Sequence, residues 1–199
     1  MSDETNWIER ARAGEREAFA RLIESYQTPI YNLTYRMLGD AGEAEDAAQE
    51  AFLRAYTRLS LYDPRRPFKT WLFSIASHHC IDRLRKRRLT WLSLDEPLPP
   101  NLASAVAEPN PGPEERAVRS EQAAAIQQVL ARLSPEDRAV IVMRYWYDFS
   151  YEEISQATGS TVSAVKSRLH RARLTLAEKL AEERRAAPAA RLYHVEALP

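Results

Sequence analysis

Cysteine occurs once in these 199 residues, at Cys80, so no disulfide and no cysteine-built metal site can form within the chain. That usage suits a reducing compartment. Glycine is scarce, at five residues, and strict alternation of β-branched residues is rare, which argues against a sheet. No apolar run approaches the length of a membrane span. The polar, acidic opening from Met1 to Asn6 is unlike a signal peptide with its basic start and apolar core. These absences leave a helical protein, expected in the cytoplasm.

Net charge is also lacking, at a formal +0, so the whole-chain balance says nothing about partners. Its distribution is informative. Acids exceed bases from Met1 to Glu50. From Arg54 to Arg88 ten Lys and Arg face only Asp63 and Asp82, and bases lead again after Thr161. Two basic blocks in a neutral chain imply two local footprints for a polyanion.

The apolar period is helical throughout. A short helix around Trp7 to Ala13 should end near Gly14. Phe19, Leu22, Ile23, Tyr26, Ile30, Leu33 and Met37 form the next stripe, where Pro29 predicts a kink or break. Gly39 is a stop, and Asp40 with Glu43 a capping-box-like restart. The helix after it places Ala48, Phe52, Ala55, Tyr56 and Leu59 on one face. Pro67 suits the first turn of a fourth helix that buries Phe68, Trp71, Leu72 and Ile75 and runs into Arg83–Arg88.

Six prolines between Pro97 and Pro113 mark a linker. The expected fold is therefore all-α, with two small helical domains: 1–91, a linker over 92–117, 118–183, and a frayed tail over 184–199. In the second domain Ser134-Pro135-Glu136-Asp137 starts a helix carrying Val140, Ile141, Met143 and Trp146. Ser150 and Glu153 form a capping box, Gly159 a stop and Thr161 a cap. The last helix buries Val165, Leu169, Ala172 and Leu176.

Ser150 to Arg173 is the strongest signal: a short capped helix, a glycine turn and a second helix basic on its open side make a helix-turn-helix. Turning Val165 and Leu169 inward places Ser163, Ser167 and His170 outward, flanked by Lys166 and Arg171. Short polar groups can reach base edges while the cations hold phosphates. The plain alternative is a helical hairpin with a solvated basic face.

Ser60 to Arg88 is the second signal. Trp71, Phe73 and His78 among cations can stack on unpaired bases, although Trp71 at helical spacing from Phe68 and Ile75 also reads as core. The third is acidic: Glu43, Asp46 and Glu50 share a helix face, beside Glu45 and Gln49. A di-metal centre on such a face would need Glu-x-x-His pairs, which the chain lacks, so a solvated or partner-facing surface is the better reading. His78, His79 and Cys80 are consecutive and so point apart on a helix. No metal or cofactor is expected.

Together these motifs resemble the extracytoplasmic-function sigma factors, the small two-domain specificity subunits of bacterial RNA polymerase. Gly42-Glu43-Ala44-Glu45-Asp46-Ala47-Ala48-Gln49-Glu50-Ala51-Phe52 is similar to the family's polymerase-docking helix. Phe68-Lys69-Thr70-Trp71-Leu72 and Ile81-Asp82-Arg83-Leu84-Arg85-Lys86-Arg87-Arg88 resemble its promoter-melting helix. Leu133-Ser134-Pro135-Glu136, Ser150-Tyr151-Glu152-Glu153-Ile154 and Val165 to Arg173 resemble its C-terminal domain.

The resemblance implies that Asp46, Gln49, Glu50 and Phe52 dock on the clamp helices of the polymerase β′ subunit. Arg65, Arg66, Lys69, Trp71, His78, Arg83, Arg85, Lys86, Arg87 and Arg88 would capture and melt the −10 element. Ser163, Lys166, Ser167, Arg168, His170, Arg171 and Arg173 would read −35 duplex, with the domain touching the β flap. It also implies an anti-sigma factor as partner and no small-molecule substrate. The sequence departs from the family's usual Asn at His78, Arg at Ser74, apolar residue at Ser160 and Thr at Ala164.

Two rivals stand beside this reading. An autonomous helix-turn-helix regulator explains Ser150 to Arg173 but leaves Arg83–Arg88 and the acidic helix without a role. A carboxylate-metal enzyme lacks a nucleophile–base pair, a phosphate loop and metal-ligand spacing.

Overall fold

The computed structural model describes residues 3–94 and 123–186, with side chains except at 89–94, 179–180 and 182–186. The expected linker and tail lie largely outside the described residues. The helices are α1 (Asp3–Arg12), α2 (Arg16–Leu38), α3 (Ala41–Thr57), a 3₁₀ turn (Leu59–Leu61), α4 (Phe68–Leu94), α5 (123–131), α6 (Pro135–Trp146), α7 (Tyr151–Thr158) and α8 (Val162–Ala186). The described residues contain no strand, as the all-α expectation required.

Local chemistry sets most of these boundaries. Gly39 ends α2 at φ 79°, a left-handed value glycine reaches without penalty, and its N–H donates to the Tyr35 carbonyl at 2.8 Å. Asp40 then accepts the Glu43 N–H at 2.8 Å and starts α3. The expected capping box is only half formed, because the Glu43 carboxylate turns instead to Arg87. Pro67 lies just ahead of α4 rather than in its first turn, and its carbonyl accepts the Trp71 N–H.

Pro29 does not break its helix as expected: α2 is continuous through it. The missing N–H frees the carbonyl of Ser25, an exposed residue where water can serve it. Ile30, Leu33, Met37 and Leu38, all fully buried or nearly so, hold the segment from the other side.

Helices α1 to α4 enclose Leu22, Ile30, Leu33, Met37 and Leu72. From α3 only small residues face inward, Ala44, Ala47, Ala51 and Ala55, which lets its backbone approach α2 closely. Phe52 is half-buried and Tyr56 is 43% exposed with its ring 5.0 Å from that of buried Phe19, so the large rings of the expected face lie at the margin of the core. In the second half Val140, Ile141, Met143, Ile154, Val165, Leu169 and Ala172 are buried as expected.

The two halves share one core. Phe73 of α4 is fully buried, its ring 4.6 Å from that of Tyr147 and 5.1 Å from that of Phe149, both in the α6–α7 connection. Asp148 between them takes φ 53°, a left-handed conformation that Asp tolerates better than most residues, and this turn delivers Phe149 inward. The interface is closed by side chains reaching carbonyls of α2. Tyr147 Oη donates to Pro29 at 2.7 Å, Gln127 Nε2 to Tyr35 at 3.2 Å, and Arg138 Nη1 to Met37. Phe73 is thus packed between the halves, against the expectation that it stacks on bases.

Removing the Phe149 ring leaves a cavity in a region that cannot fully collapse. Phe149→Ala should cost about 3–5 kcal/mol of unfolding free energy. It should also raise the radius of gyration in small-angle scattering, and an unchanged radius would show that the halves stay joined without this ring.

Burial pushes the Cys80 thiol up to about 12 from 9.0, and the Tyr147 phenol up to about 12 from 10.0. Both groups ionise in the unfolded chain first, so their contribution is complete below pH 9 and is lost as pH rises towards 12. Stability should fall by roughly 1–2 kcal/mol between pH 8 and 10. Chemical denaturation at stepped pH checks this, and Cys80→Ala should remove the loss that begins near pH 9.

Candidate nucleic-acid interface

The helix-turn-helix is held by its caps. Ser150 Oγ accepts the Glu153 N–H at 3.1 Å while the Glu153 carboxylate accepts the Ser150 N–H at 2.8 Å. Gly159 ends α7 at φ 62°. The turn is polar and self-bonded: Ser155 Oγ donates to the Ser160 carbonyl, and the Thr158 and Ser160 hydroxyls lie 2.7 Å apart. Serine at position 160 is therefore used by the turn itself. Thr161 Oγ1 accepts the Ala164 N–H at 3.1 Å and starts α8.

With Val165, Leu169 and Ala172 inward, α8 exposes Ser163, Lys166, Ser167, His170, Arg171 and Arg173. Arg168 is half-buried. Lys166 Nζ sits 5.7 Å from the Tyr151 ring centre, at the edge of a cation–π contact. Ser167 Oγ donates back to the Ser163 carbonyl, and Arg173 Nε to that of Leu169. Arg168 and Arg171 both reach the Asp137 carboxylate, at 3.3 Å each.

The residues expected at the −10 element divide into three groups. Arg66, His78, Lys86 and Arg88 are exposed, and the exposed Arg65 is paired with Asp63. His78 Nδ1 donates to the Ser74 carbonyl at 2.7 Å, so the hydroxyl at Ser74 and the imidazole lie on one strip. Arg83 is half-buried.

A second group is engaged by the protein. Lys69 Nζ donates to the Tyr147 carbonyl at 3.1 Å and lies 4.8 Å from the Phe149 ring centre, inside the contact between the halves. Arg85 pairs with Glu136 at the start of α6, and Arg87 with Glu43 at the start of α3. Trp71 forms the third: it is half-buried with Tyr62 at 5.1 Å and Phe68 at 5.6 Å, the core placement weighed from its spacing.

On α3 the residues expected to meet polymerase lie outward: Asp46 and Gln49 are exposed, Phe52 is half-buried, and Glu50 pairs with Arg54 at 2.6 Å. That pairing holds the Glu50 carboxyl below its usual range. Leu53, 61% exposed and one turn beyond Gln49 and Glu50 on α3, extends this surface and was missed in the sequence. The signal was there for Leu53, an apolar residue outside the inward stripe. His79 sits behind Glu50 and Arg54, where burial, with Arg54 next, lowers its pKa. Among the described residues no group of His, Cys, Asp and Glu could hold a metal ion. No helix of the described residues is long and apolar enough to cross a membrane.

Lys166 is exposed beside the polar strip of α8, where the sequence reading expects a phosphate contact. Lys166→Ala should weaken duplex binding by a sequence-independent amount and flatten the log–log salt slope by about one unit. Fluorescence anisotropy over a salt series reads this, and an unchanged slope would remove Lys166 from the phosphate contacts.

Two family descriptions match the chain: sigma-70 region 2 over residues 22–90 and sigma-70 region 4 over residues 123–176. The ECF RNA polymerase sigma factor SigW of Bacillus subtilis (strain 168) is 38% identical over 177 residues, covering 87% of this chain and 94% of its own. BldN, an ECF RNA polymerase sigma factor of Streptomyces coelicolor, is 31% identical over 180 residues, covering 89% of this chain and 66% of its own. Among solved structures, CnrH in complex with the cytosolic domain of CnrY matches with a TM-score of 0.68 at 23% identity, covering 91% of this chain and 99% of that one. The sigma factor RpoE in complex with the anti-sigma factor NepR from Bartonella quintana matches with a TM-score of 0.65 at 22% identity, covering 81% and 96%. At these identities the two structures bear on the fold alone.

Proposed function

Because this chain belongs to the extracytoplasmic-function sigma factors of RNA polymerase, we propose a division of that work between its two ends. The chain is a promoter-specificity subunit of core polymerase. In our reading α8 enters the major groove at the −35 element through Ser163, Ser167 and His170. Lys166, Arg168, Arg171 and Arg173 hold the flanking backbone. The loop before α4 and the exposed side of α4, with Arg65, Arg66, His78, Arg83, Lys86 and Arg88, take the −10 strand. Residues 1–91 and 118–183 serve as the two working units.

The observation that carries this reading is the exposed strip of α8, polar at its centre and cationic at its margins, on a helix whose start is fixed by a capped turn. Asp46, Gln49 and Glu50, with exposed Leu53, form an acidic and apolar surface that repels DNA and suits a protein. It fits the β′ clamp helices, and α6 to α8 the β flap. An anti-sigma factor is the natural inhibitor, and a chain that serves core polymerase works in the cytoplasm. The reading assigns no catalytic step and no cofactor. An autonomous regulator is not retained, since the matched regions of both halves are sigma-70 regions.

The closed arrangement is a resting form in this reading. Arg85 pairs with Glu136 while Arg171 pairs with the next residue, Asp137, so the two DNA-facing sides are tied to adjacent positions. Elements named −10 and −35 lie about 25 base pairs apart, roughly 85 Å of duplex. The halves must therefore part on the promoter. The 28 residues from 95 to 122 permit it, reaching at most about 95 Å when extended.

Labelled protein titrated with core polymerase free of any sigma factor should bind one-to-one, saturably, and be displaced by a housekeeping sigma factor. A donor–acceptor pair on Gln27→Cys and Gln128→Cys, both exposed and outside the proposed contacts, in a Cys80→Ala background, should report an increase in distance on binding. Absence of binding at micromolar core, with folded protein, would overturn the assignment.

A further inference from the structure

Asp137 is an anion on the edge of a surface built to meet an anion. It is the third residue of α6, behind the Ser134 cap that accepts its N–H. Its carboxylate lies 3.3 Å from both Arg168 Nη1 and Arg171 Nη2, one turn apart on α8. The Asp137 side chain is 14% exposed, against 30% for Arg168 and 59% for Arg171. The carboxylate is thus sunk beneath the two guanidinium groups, and Arg171 in particular keeps much of its surface in solvent.

Three accounts of that carboxylate can be compared. Towards Arg171 it does little as a stabilising ion pair, because the exposed end of such a pair is screened and loses side-chain entropy. As a partner for the α6 dipole it is partly redundant, because Glu136 occupies the same first turn. As a contributor to DNA affinity it acts in the wrong direction, since a negative charge beside the phosphate track opposes binding. A fourth account fits the geometry. A guanidinium presents five donors in a rigid fork, so anchoring one edge fixes where the others point. Two flexible cations become oriented ones, and less rotamer freedom is lost when they meet DNA.

We propose that Asp137 is a positioning residue that sets −35 specificity, orienting Arg168 and Arg171 while restraining their sequence-independent attraction to phosphate. The proposal rests on the sigma-factor reading and adds a residue outside α8 to its DNA-reading machinery. Removing the charge should trade discrimination for affinity. Asp137→Asn keeps the shape and frees both arginines, which then grip any duplex and hold no register.

The test uses the full chain assembled with core polymerase. Wild-type holoenzyme selects from a duplex library randomised over the upstream element, and its preferred duplex is compared with a mixed-sequence duplex of equal length. For Asp137→Asn the core affinity and the thermal midpoint should be unchanged. Binding to mixed-sequence duplex should be equal or several-fold tighter, and the ratio of preferred to mixed binding should fall roughly tenfold, the scale of one displaced base-reading contact. Arg171→Ala should cost the ratio less in the Asp137→Asn background than in wild type, because its orientation is already lost. Asp137→Glu should recover part of it.

A ratio and a selected motif unchanged in Asp137→Asn would overturn the proposal and leave an ordinary ion pair. An equal fall on preferred and mixed duplex, tracking a lowered thermal midpoint, would overturn it in favour of a structural role. A wild-type chain that binds core yet selects no upstream motif would overturn the reading of α8 on which the proposal stands.

Discussion

The contact of Phe73 with Tyr147 and Phe149 governs the rest of the arrangement. One buried ring on α4 meets two rings from the connection between α6 and α7, and this decides what every neighbouring charge can reach. It brings the first turn of α6 between α4 and α8, so that three consecutive side chains point to three elements. Glu136 takes Arg85, Asp137 takes Arg168 and Arg171, and Arg138 takes the end of α2. Acids at the start of a helix stabilise it through its dipole wherever it lies. Here the same acids also face cations of α4 and α8, because the aromatic contact sets the helix there.

Burial then separates the basic residues into those presented and those engaged. Lys69, beside the rings at the start of α4, is drawn to the Tyr147 carbonyl. Arg87 is held by Glu43 of α3, while Arg88 beside it is exposed. On α8 nearly all the expected residues remain outward. The arrangement therefore leaves most of the cations of α8 outward and engages several of those of α4. The asymmetry follows from geometry, since α7 and the turn before it pack on α4 whereas α8 lies on the far side of α6 and α7.

The helix ends were legible in the sequence because capping is local. Ser134, Ser150 with Glu153, Gly39 with Asp40, Gly159 and Thr161 each act within a few residues of themselves, and the structure shows each one acting. The inward faces of α6 and α8 were legible because their periods are regular. What escaped depended on distant partners. Pro29 reads as a kink or break, yet the helix runs on through it with the buried residues after it in place. Phe73 reads as a stacking group until Tyr147 and Phe149 arrive from a distant part of the chain. Glu43 reads as half of a capping box until Arg87 competes for it. A pattern of residue types records which groups are polar or apolar, and it does not record which of several candidates becomes the partner.

The same contacts explain how a shared core can still be parted. Among the described residues no carboxylate is placed to neutralise Arg138: burial lowers its pKa to about 10, Arg87 adds to that effect, and its Nε has no hydrogen-bond partner there. Its bond goes to the Met37 carbonyl in the last turn of α2, where the helix dipole favours a cation. Tyr147 and Gln127 likewise donate to carbonyls of α2. Each of these bonds is replaced by water when the halves separate, and Arg138 regains its hydration. On separation these donors and acceptors regain hydrogen bonds to water, and so do Arg85 and Glu136 of the ion pair that also crosses the contact. The cost of opening then includes exposing the rings of Phe73, Tyr147 and Phe149, which belong to the one core that both halves share.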